Sequence, residues 1–371
     1  MSSDVGPVLS RRALNRSTLA RQLLLHRVRM PVLEAVHHVV GLQAQVPAVP
    51  YTALWNRLEA FDPDELSRHT DDRAVVRIPL MRSTIHLVTA EDALTMRPLL
   101  HPVLARTFGG TVWSKQLGGY DVQDILDHGR ALLAERPRTR AELGRLQAER
   151  FPGVNAEPIG MATTYLLPVL QPTPRGLWGR SGQAAWALVE SWLGAELHHD
   201  RPVEEFVLRY LTAFGPASVM DIQAWCGLTK LREVTDRLGS RLRRFSTEDG
   251  AQLLDVPDGP LPDPETPAPV RFLPEYDNST LGYADRSRVI PDTAGFELLE
   301  GGPGGHVGSL LVDGFVSALW ALRRQGDRVS LQIKPAVRIP DEYTAAIHAE
   351  GTELAGFLAP GRETVIQLDH D

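Results

Sequence analysis

The feature that most limits what this chain can fold into is a repeated order of helices closed by a hairpin. It is clearest between Pro202 and Pro257. Phe206, Val207, Tyr210 and Leu211 recur at i, i+1, i+4 and i+5, which predicts an amphipathic helix over 203–214. Gly215-Pro216 stops it. A short helix over 217–225 takes Ser218 as N-cap and ends at Gly227; a third, over 229–238, takes Thr229 as N-cap. Segments 242–245 and 252–256 then flank Thr247-Glu248-Asp249-Gly250, a hairpin turn of the Asp-Gly kind.

The same order recurs over 121–192. Helices are predicted at 122–135, 139–150 and 160–170, the second opened by the capping box Thr139-Arg140-Ala141-Glu142. Pro172 to Gly182 stands where the hairpin belongs. A third copy spans 10–88, with helices at 14–26, 31–40 and 49–58 and a strand pair at 75–78 and 85–88. Three helices and a two-stranded wing make a winged helix. After the Pro-rich linker 259–269 the chain turns β-rich, with strands at 307–312, 315–322 and 329–337, a helix at 341–357 and a last strand at 364–368. The expected class is α+β: three tandem winged helices (10–118, 119–200 and 201–258) and a β-rich domain (270–371). The 371 residues exceed what one core serves.

Composition removes several function classes. The one cysteine, Cys226, rules out a disulfide framework or a Cys-based zinc site. The pairs His37-His38 and His198-His199 point apart on a helix and suggest no metal. No Gly-rich phosphate loop, H-E-x-x-H or G-x-S-x-G motif occurs, so no cofactor is expected. No secretory pattern is present, and no apolar run approaches the roughly 18 residues of a membrane span. A cytoplasmic chain, off the membrane, is expected. Net charge is −7, yet from Val5 to Leu58 seven arginines (11, 12, 16, 21, 27, 29 and 57) face one acid, Glu34. Arg237, Arg241, Arg243 and Arg244 form a second island. Basic islands on an acidic chain fit a polyanion that touches one face, with Arg11, Arg12 and Arg16 as contacts. With 36 arginines to three lysines, general arginine usage explains them equally well.

Three segments carry candidate chemistry. In Gly41-Leu42-Gln43-Ala44-Gln45-Val46-Pro47, two amides stand one residue apart just after a helix. An extended backbone puts both on one face; a helical one does not. They either cap backbone groups or project together into a cleft. In Met81-Arg82-Ser83-Thr84-Ile85-His86-Leu87-Val88, a strand would align Arg82, Thr84 and His86, able to hold a phosphate and orient a water, or to form a polar face over solvent. In Arg271-Phe272-Leu273-Pro274-Glu275-Tyr276-Asp277-Asn278-Ser279-Thr280, an Asx-capped turn outweighs a catalytic carboxylate. The basic triplet Arg286-Ser287-Arg288 follows it.

These residues, with Phe214-Gly215-Pro216, Asp221-Ile222, Trp225, Gly282-Tyr283, Asp285-Arg286, Leu311-Val312-Asp313-Gly314 and Trp320, resemble the AlkZ/YcaQ group of bacterial DNA glycosylases. The resemblance runs from about residue 10 onward and rests on five motifs in order. It implies tandem winged helices and a C-terminal β-barrel-like domain, arranged as a C around DNA. It implies Gln43 and Gln45 as the catalytic pair, with Thr84 and His86 in support and Arg82 and Arg286 on DNA. Gln rather than Asp at position 45 is similar to the AlkZ-like branch, linked to self-resistance against azinomycin-type crosslinkers. The implied partner is double-stranded DNA bearing alkylated purines, met by a monomer. A hairpin at 296–310, tipped by Gly301-Gly302-Pro303-Gly304-Gly305, is expected to probe a groove. The rival expectations are a winged-helix transcriptional regulator without catalysis and a protein-binding scaffold.

Overall fold

The computed structural model describes residues 6–291 and 307–369. The chain enters through strand β1 (Val8–Leu9) and helix α1 (Arg11–Arg21). Three repeats follow. The first is α2 (Val32–His38), β2 (Leu42–Gln43), α3 (Val49–Trp55), α4 (Pro63–Asp71), β3 (Val75–Pro79) and β4 (Ile85–Thr89). Helices α5 (Ala90–Leu99) and α6 (His101–Gly109) lead to the second: α7 (Val122–Glu135), β5 (Arg138–Thr139), α8 (Arg140–Arg150), α9 (Ala156–Leu166), β6 (Val169–Leu170) and β7 (Ala185–Leu188). Helix α10 (Val189–Leu193) joins it to the third: α11 (Val203–Phe214), α12 (Val219–Cys226), α13 (Leu231–Leu238), β8 (Arg243–Thr247) and β9 (Gln252–Asp255).

Each repeat runs helix, short strand, helix, helix, hairpin, and the short strand always pairs with the second hairpin strand. The orders are β2-β4-β3 and β5-β7-β6. In the third repeat an isolated bridge from Ala217 to Leu254 replaces the short strand. Local signals set the boundaries: Asp62 caps α4 with Pro63 at its first turn, Thr139 caps α8, and Ser218 with Asp221 forms a capping box on α12. Two expectations fail here. Helix α1 covers 11–21 rather than 14–26, and α4, not α1, completes the first repeat. Helix α1 instead lies against the third repeat and the C-terminal part, while β1 adds to β8 as a parallel strand.

The C-terminal part holds β10 (Arg271–Leu273), α14 (Asn278–Leu281), β11 (Val307–Val312), β12 (Phe315–Gln325), β13 (Arg328–Pro335), α15 (Thr344–Leu358) and β14 (Glu363–Leu368). Its sheet, in the order β10-β11-β12-β13-β14, is open, which corrects the β-barrel-like expectation. Helix α15 is a crossover that returns β14 parallel to β13, so the sheet grows away from β10 and its two edges never meet. The groove-probing hairpin expected at 296–310 lies outside the described residues over 292–306; 307–310 begin β11. Among the described residues no helix is long and apolar enough to cross a membrane.

Apolar cores cross the repeats. Ile78 and Leu80 of the first share a cluster with Leu170 of the second and Phe206 and Trp225 of the third. The arginines expected to line a DNA face are drawn inward. Arg16 is fully buried on Asp313 at 2.5 Å, and Arg12 joins the same carboxylate at 2.6 Å. Arg21 pairs with Asp255 at 2.9 Å, and Arg57 with Asp277 at 2.8 Å, all four side chains buried. Arg27 meets Glu350 at 2.7 Å. Five of the seven arginines in the island without local acids, Arg12, Arg16, Arg21, Arg27 and Arg57, are therefore staples to acids far along the chain. Arg11 alone of the three expected contacts, Arg11, Arg12 and Arg16, is exposed.

Candidate active site

Helix α2 ends at His38, and the chain leaves it through Val40 and Gly41, both left-handed, with φ 57° and 86°. A Cβ on Gly41 would lie 2.5 Å from Val88 Cγ1, so glycine satisfies both the turn and the close approach to β4. The next two residues form β2, with Leu42 opposite Leu87 and Gln43 opposite His86. The Ala44 N–H donates to the Ile85 carbonyl at 2.7 Å and ends the ladder. Residues 44–48 then separate β2 from α3. In the second repeat the short strand runs straight into α8, and in the third only Ser218 intervenes before α12. The first repeat departs from its copies at the segment that carries Gln45.

The two amides divide between the readings: Gln45 caps a backbone N–H and lines a cavity, whereas Gln43 is buried and is not among the residues that line it. The backbone is extended at Gln43 and bends at Gln45. Gln45 Oε1 accepts the Ile85 N–H at 3.2 Å, supplying the partner the ladder would have offered next. Its side chain is exposed and lines a cavity of about 330 Å³. Gln43 is buried, and its Oε1 accepts from Arg82 Nη2 at 3.2 Å. Because Ile85 N–H and the Arg82 guanidinium can only donate, they set which amide atom is oxygen. Among the described residues neither Nε2 has a partner. Each amide presents a free donor, and each carbonyl keeps a second lone pair for a water.

The Met81–Val88 segment is not one strand. Met81–Ser83 is a tight turn with Arg82 at φ 52° and Ser83 at φ 58°, and β4 starts only at Ile85. Two consecutive non-glycine residues in the left-handed region are costly, of order 1–3 kcal/mol each. The turn aims Arg82 at Gln43 and at the Trp225 carbonyl, 2.9 Å away, not along a shared face with Thr84. Thr84 Oγ1 donates to Met81 O at 3.1 Å and closes the turn. His86 is 1% exposed, and its Nδ1 lies 3.0 Å from the Thr84 carbonyl. Burial, then nearby Arg82, lowers its pKa to about 3, so the ring is neutral at physiological pH and structural in its contacts. Arg82 falls to about 10, through burial and then Arg286, and stays charged. Arg286 itself is exposed.

Residues that the sequence did not single out, with two from the third candidate segment, build the surroundings. Arg77, buried under the segment, donates to Ala44 O at 2.7 Å and to Gln171 Oε1 at 2.8 Å. Asn278 donates to Gly41 O at 2.7 Å and Val39 O at 3.2 Å, so α14 holds the approach to Gln43. Asp277 caps α14 and pairs with Arg57, which is the Asx-capped turn expected for this stretch. Across the cavity from Gln45 stand Arg140, Tyr165, Gln171, Arg175 and Trp186. No carboxylate is among its lining residues.

A family model described as "DNA glycosylase AlkZ-like" matches residues 36–357. The structure is similar to that of Streptomyces sahachiroi DNA glycosylase AlkZ, with a TM-score of 0.73 at 20% identity, covering 98% of this chain and 100% of that one. At that identity the likeness speaks for the fold. A comparison with curated proteins found no match. The family model spans both glutamines, the turn that orients them and most of the C-terminal part, and on that match the chain belongs to the AlkZ-like DNA glycosylases.

Proposed function

We propose that this glycosylase hydrolyses the N-glycosidic bond of N7-alkylated purines in duplex DNA, azinomycin-type interstrand crosslinks included, with Gln43 and Gln45 at the reacting centre. The observation that carries this reading is the pair of amides with oriented carbonyls and free Nε2 donors in a setting without a carboxylate. An N7-alkylated purine is already cationic. When its bond to C1′ breaks, the electron pair neutralises the ring, so no acid need protonate the leaving group. Charge moves to a sugar with oxocarbenium character, and water adds at C1′ and loses a proton to solvent. The amides place that water and the sugar through fixed dipoles. The chain has three lysines, Lys115, Lys230 and Lys334, and none lines the cavity beside Gln45; this supports a monofunctional enzyme that forms no Schiff base.

A crosslink ties both strands and resists extrusion of the base. The exposed position of Gln45 supports reaching the lesion from a groove, without full flipping. A complex with the damaged base extruded into a closed pocket would refute that part. The three repeats are read as winged helices that grip DNA, acting as a monomer in the cytoplasm without a cofactor. The test is release of base from N7-methylguanine duplex and from an azinomycin-type crosslink, scored as abasic sites. Gln43→Ala and Gln45→Ala are each expected to lose at least about a hundredfold in release, the scale of one lost transition-state donor, while still binding DNA. Tight binding to one duplex sequence without release would favour the transcriptional regulator instead.

A further inference from the structure

Buried arginines in this protein follow a rule. Arg16, Arg21, Arg57, Arg138, Arg271 and Arg288 each have a carboxylate within 4.0 Å. Arg97 is a reasoned exception, since it donates to the carbonyls of Tyr165, Leu166 and Leu167 at the C-terminal end of α9. The rule fails around the Gln43–Gln45 segment. Arg77, Arg82, Arg140 and Arg175 are buried or half-buried, and among the described residues none has a carboxylate partner. Glu157 acts on Arg140 only from beyond ion-pair reach. Arg175 is close enough to Arg77 to disfavour the charge on Arg77. Leaving cations desolvated and without a counter-charge is expensive.

Two of these arginines face the cavity beside Gln45. Arg140 stacks over Trp186 at 5.3 Å and donates to Thr164 Oγ1 at 2.9 Å. Arg175 lies on the long connection between β6 and β7. Its Nη1 donates to Gly182 O at 3.0 Å, and its buried Nε has no acceptor. That connection is held firmly: Tyr51 Oη donates to Gly176 O at 2.7 Å, and Trp178 stacks on Phe357 at 5.0 Å. Arg175 also lines a second cleft of about 1070 Å³ that runs to Arg323 and Arg324 on the C-terminal sheet. A cavity with two guanidiniums and no carboxylate among its lining residues attracts an anion.

We infer that Arg140 and Arg175 bind one backbone phosphate of the damaged strand in the cavity beside Gln45, supplying the anion this charge cluster lacks and setting the register of the lesion on the two amides. The inference rests on the glycosylase reading for its substrate. Arg140 and Arg175 are positioning residues. The strand beyond that phosphate follows the larger cleft towards Arg323 and Arg324.

The test uses N7-methylguanine duplexes carrying a single uncharged methylphosphonate, moved one position at a time around the lesion, against the full-length wild type, Arg140→Gln, Arg175→Gln and Arg175→Lys. Loss of one phosphate contact is expected to lower the slope of log K against log salt by about 0.9 and to weaken binding about tenfold. The loss should fall on KM rather than kcat. One methylphosphonate position should weaken the wild type at least as much and cost Arg175→Gln, in which Arg140 alone still meets that phosphate, clearly less. Arg175→Lys should recover part of the binding, which a merely misfolded loop would not. Wild-type salt slopes in Arg140→Gln and Arg175→Gln, or losses in Arg175→Gln as large as in the wild type at every methylphosphonate position, would overturn the inference. Absence of base release by the wild type from any N7-alkylated duplex would overturn the glycosylase reading instead, and the binding slopes would still decide the phosphate site.

Discussion

A glutamine amide has no titratable proton, so the site proposed on Gln43 and Gln45 works by geometry and dipole. The one imidazole against them, His86, is buried and neutral, its pKa lowered to about 3. Base release is therefore expected to be flat between about pH 5 and 8, without the ionisations that acid–base pairs impose. A step near pH 6.5 that disappears in His86→Gln would contradict this. Stability behaves differently. The unfolded chain protonates this histidine below its ordinary value of 6.5, and the folded chain does so only near 3. Between those values the unfolded state holds the extra proton, so the stabilisation is present above about pH 6.5 and is lost as pH falls towards 3. Urea melts at pH 7 and pH 4.5 should show a smaller difference for His86→Gln than for the wild type. At this scale the sequence was half legible. The spacing of the two amides was visible in it. The partners of their carbonyls were not, because the positive φ of Arg82 and Ser83 breaks the alternation that a strand at 81–88 requires.

At the scale of elements, the departure of the first repeat from the other two is what sets the proposed site apart. Strand β2 is two residues long and depends on Gly41 to bring it against β4. Gly41→Ala forces a side chain into φ 86° and onto Val88, a cost of about 1–3 kcal/mol. Because β2 holds Gln43 opposite His86, base release is expected to fall at least about tenfold, the usual penalty of a displaced reacting group. Thermal melts and single-turnover release check both effects, and a variant with full activity would show that β2 does not position the amide. Helices α2, α7, α8 and α11 were legible from apolar spacing and caps. Helix α4 was missed because its apolar stripe is short: Leu66 is its one large buried side chain. Helix α1 was assigned to the wrong repeat because its buried face includes Arg16 and Arg21, which no hydrophobic pattern records.

Across the whole molecule, arginine–carboxylate pairs join segments that lie far apart in the chain. Arg57 on the first repeat and Asp277 at the start of α14 are both fully buried, and the arginine holds the carboxyl below its usual range despite the cost of burial. Asp277→Asn leaves a buried guanidinium without its counter-charge and is expected to cost about 3–5 kcal/mol. It should also loosen Asn278, which holds Gly41, so stability and base release should fall together. Denaturant unfolding and release from N7-methylguanine DNA measure the two, and an Asp277→Asn variant of wild-type stability would disprove the clamp. The sequence by itself determined the mixed α+β class, the repeated order of helices and hairpin, and the pair of amides after α2, because caps, turns and apolar spacing act within a few residues. Tertiary structure alone decided that Arg12, Arg16, Arg21, Arg27 and Arg57 pair with acids far along the chain, that the C-terminal sheet stays open, and that four arginines without carboxylates among the described residues gather around Gln43 and Gln45. Charge partners are chosen by proximity in space, over separations as long as the 323 residues between Arg27 and Glu350, and no local pattern encodes that distance.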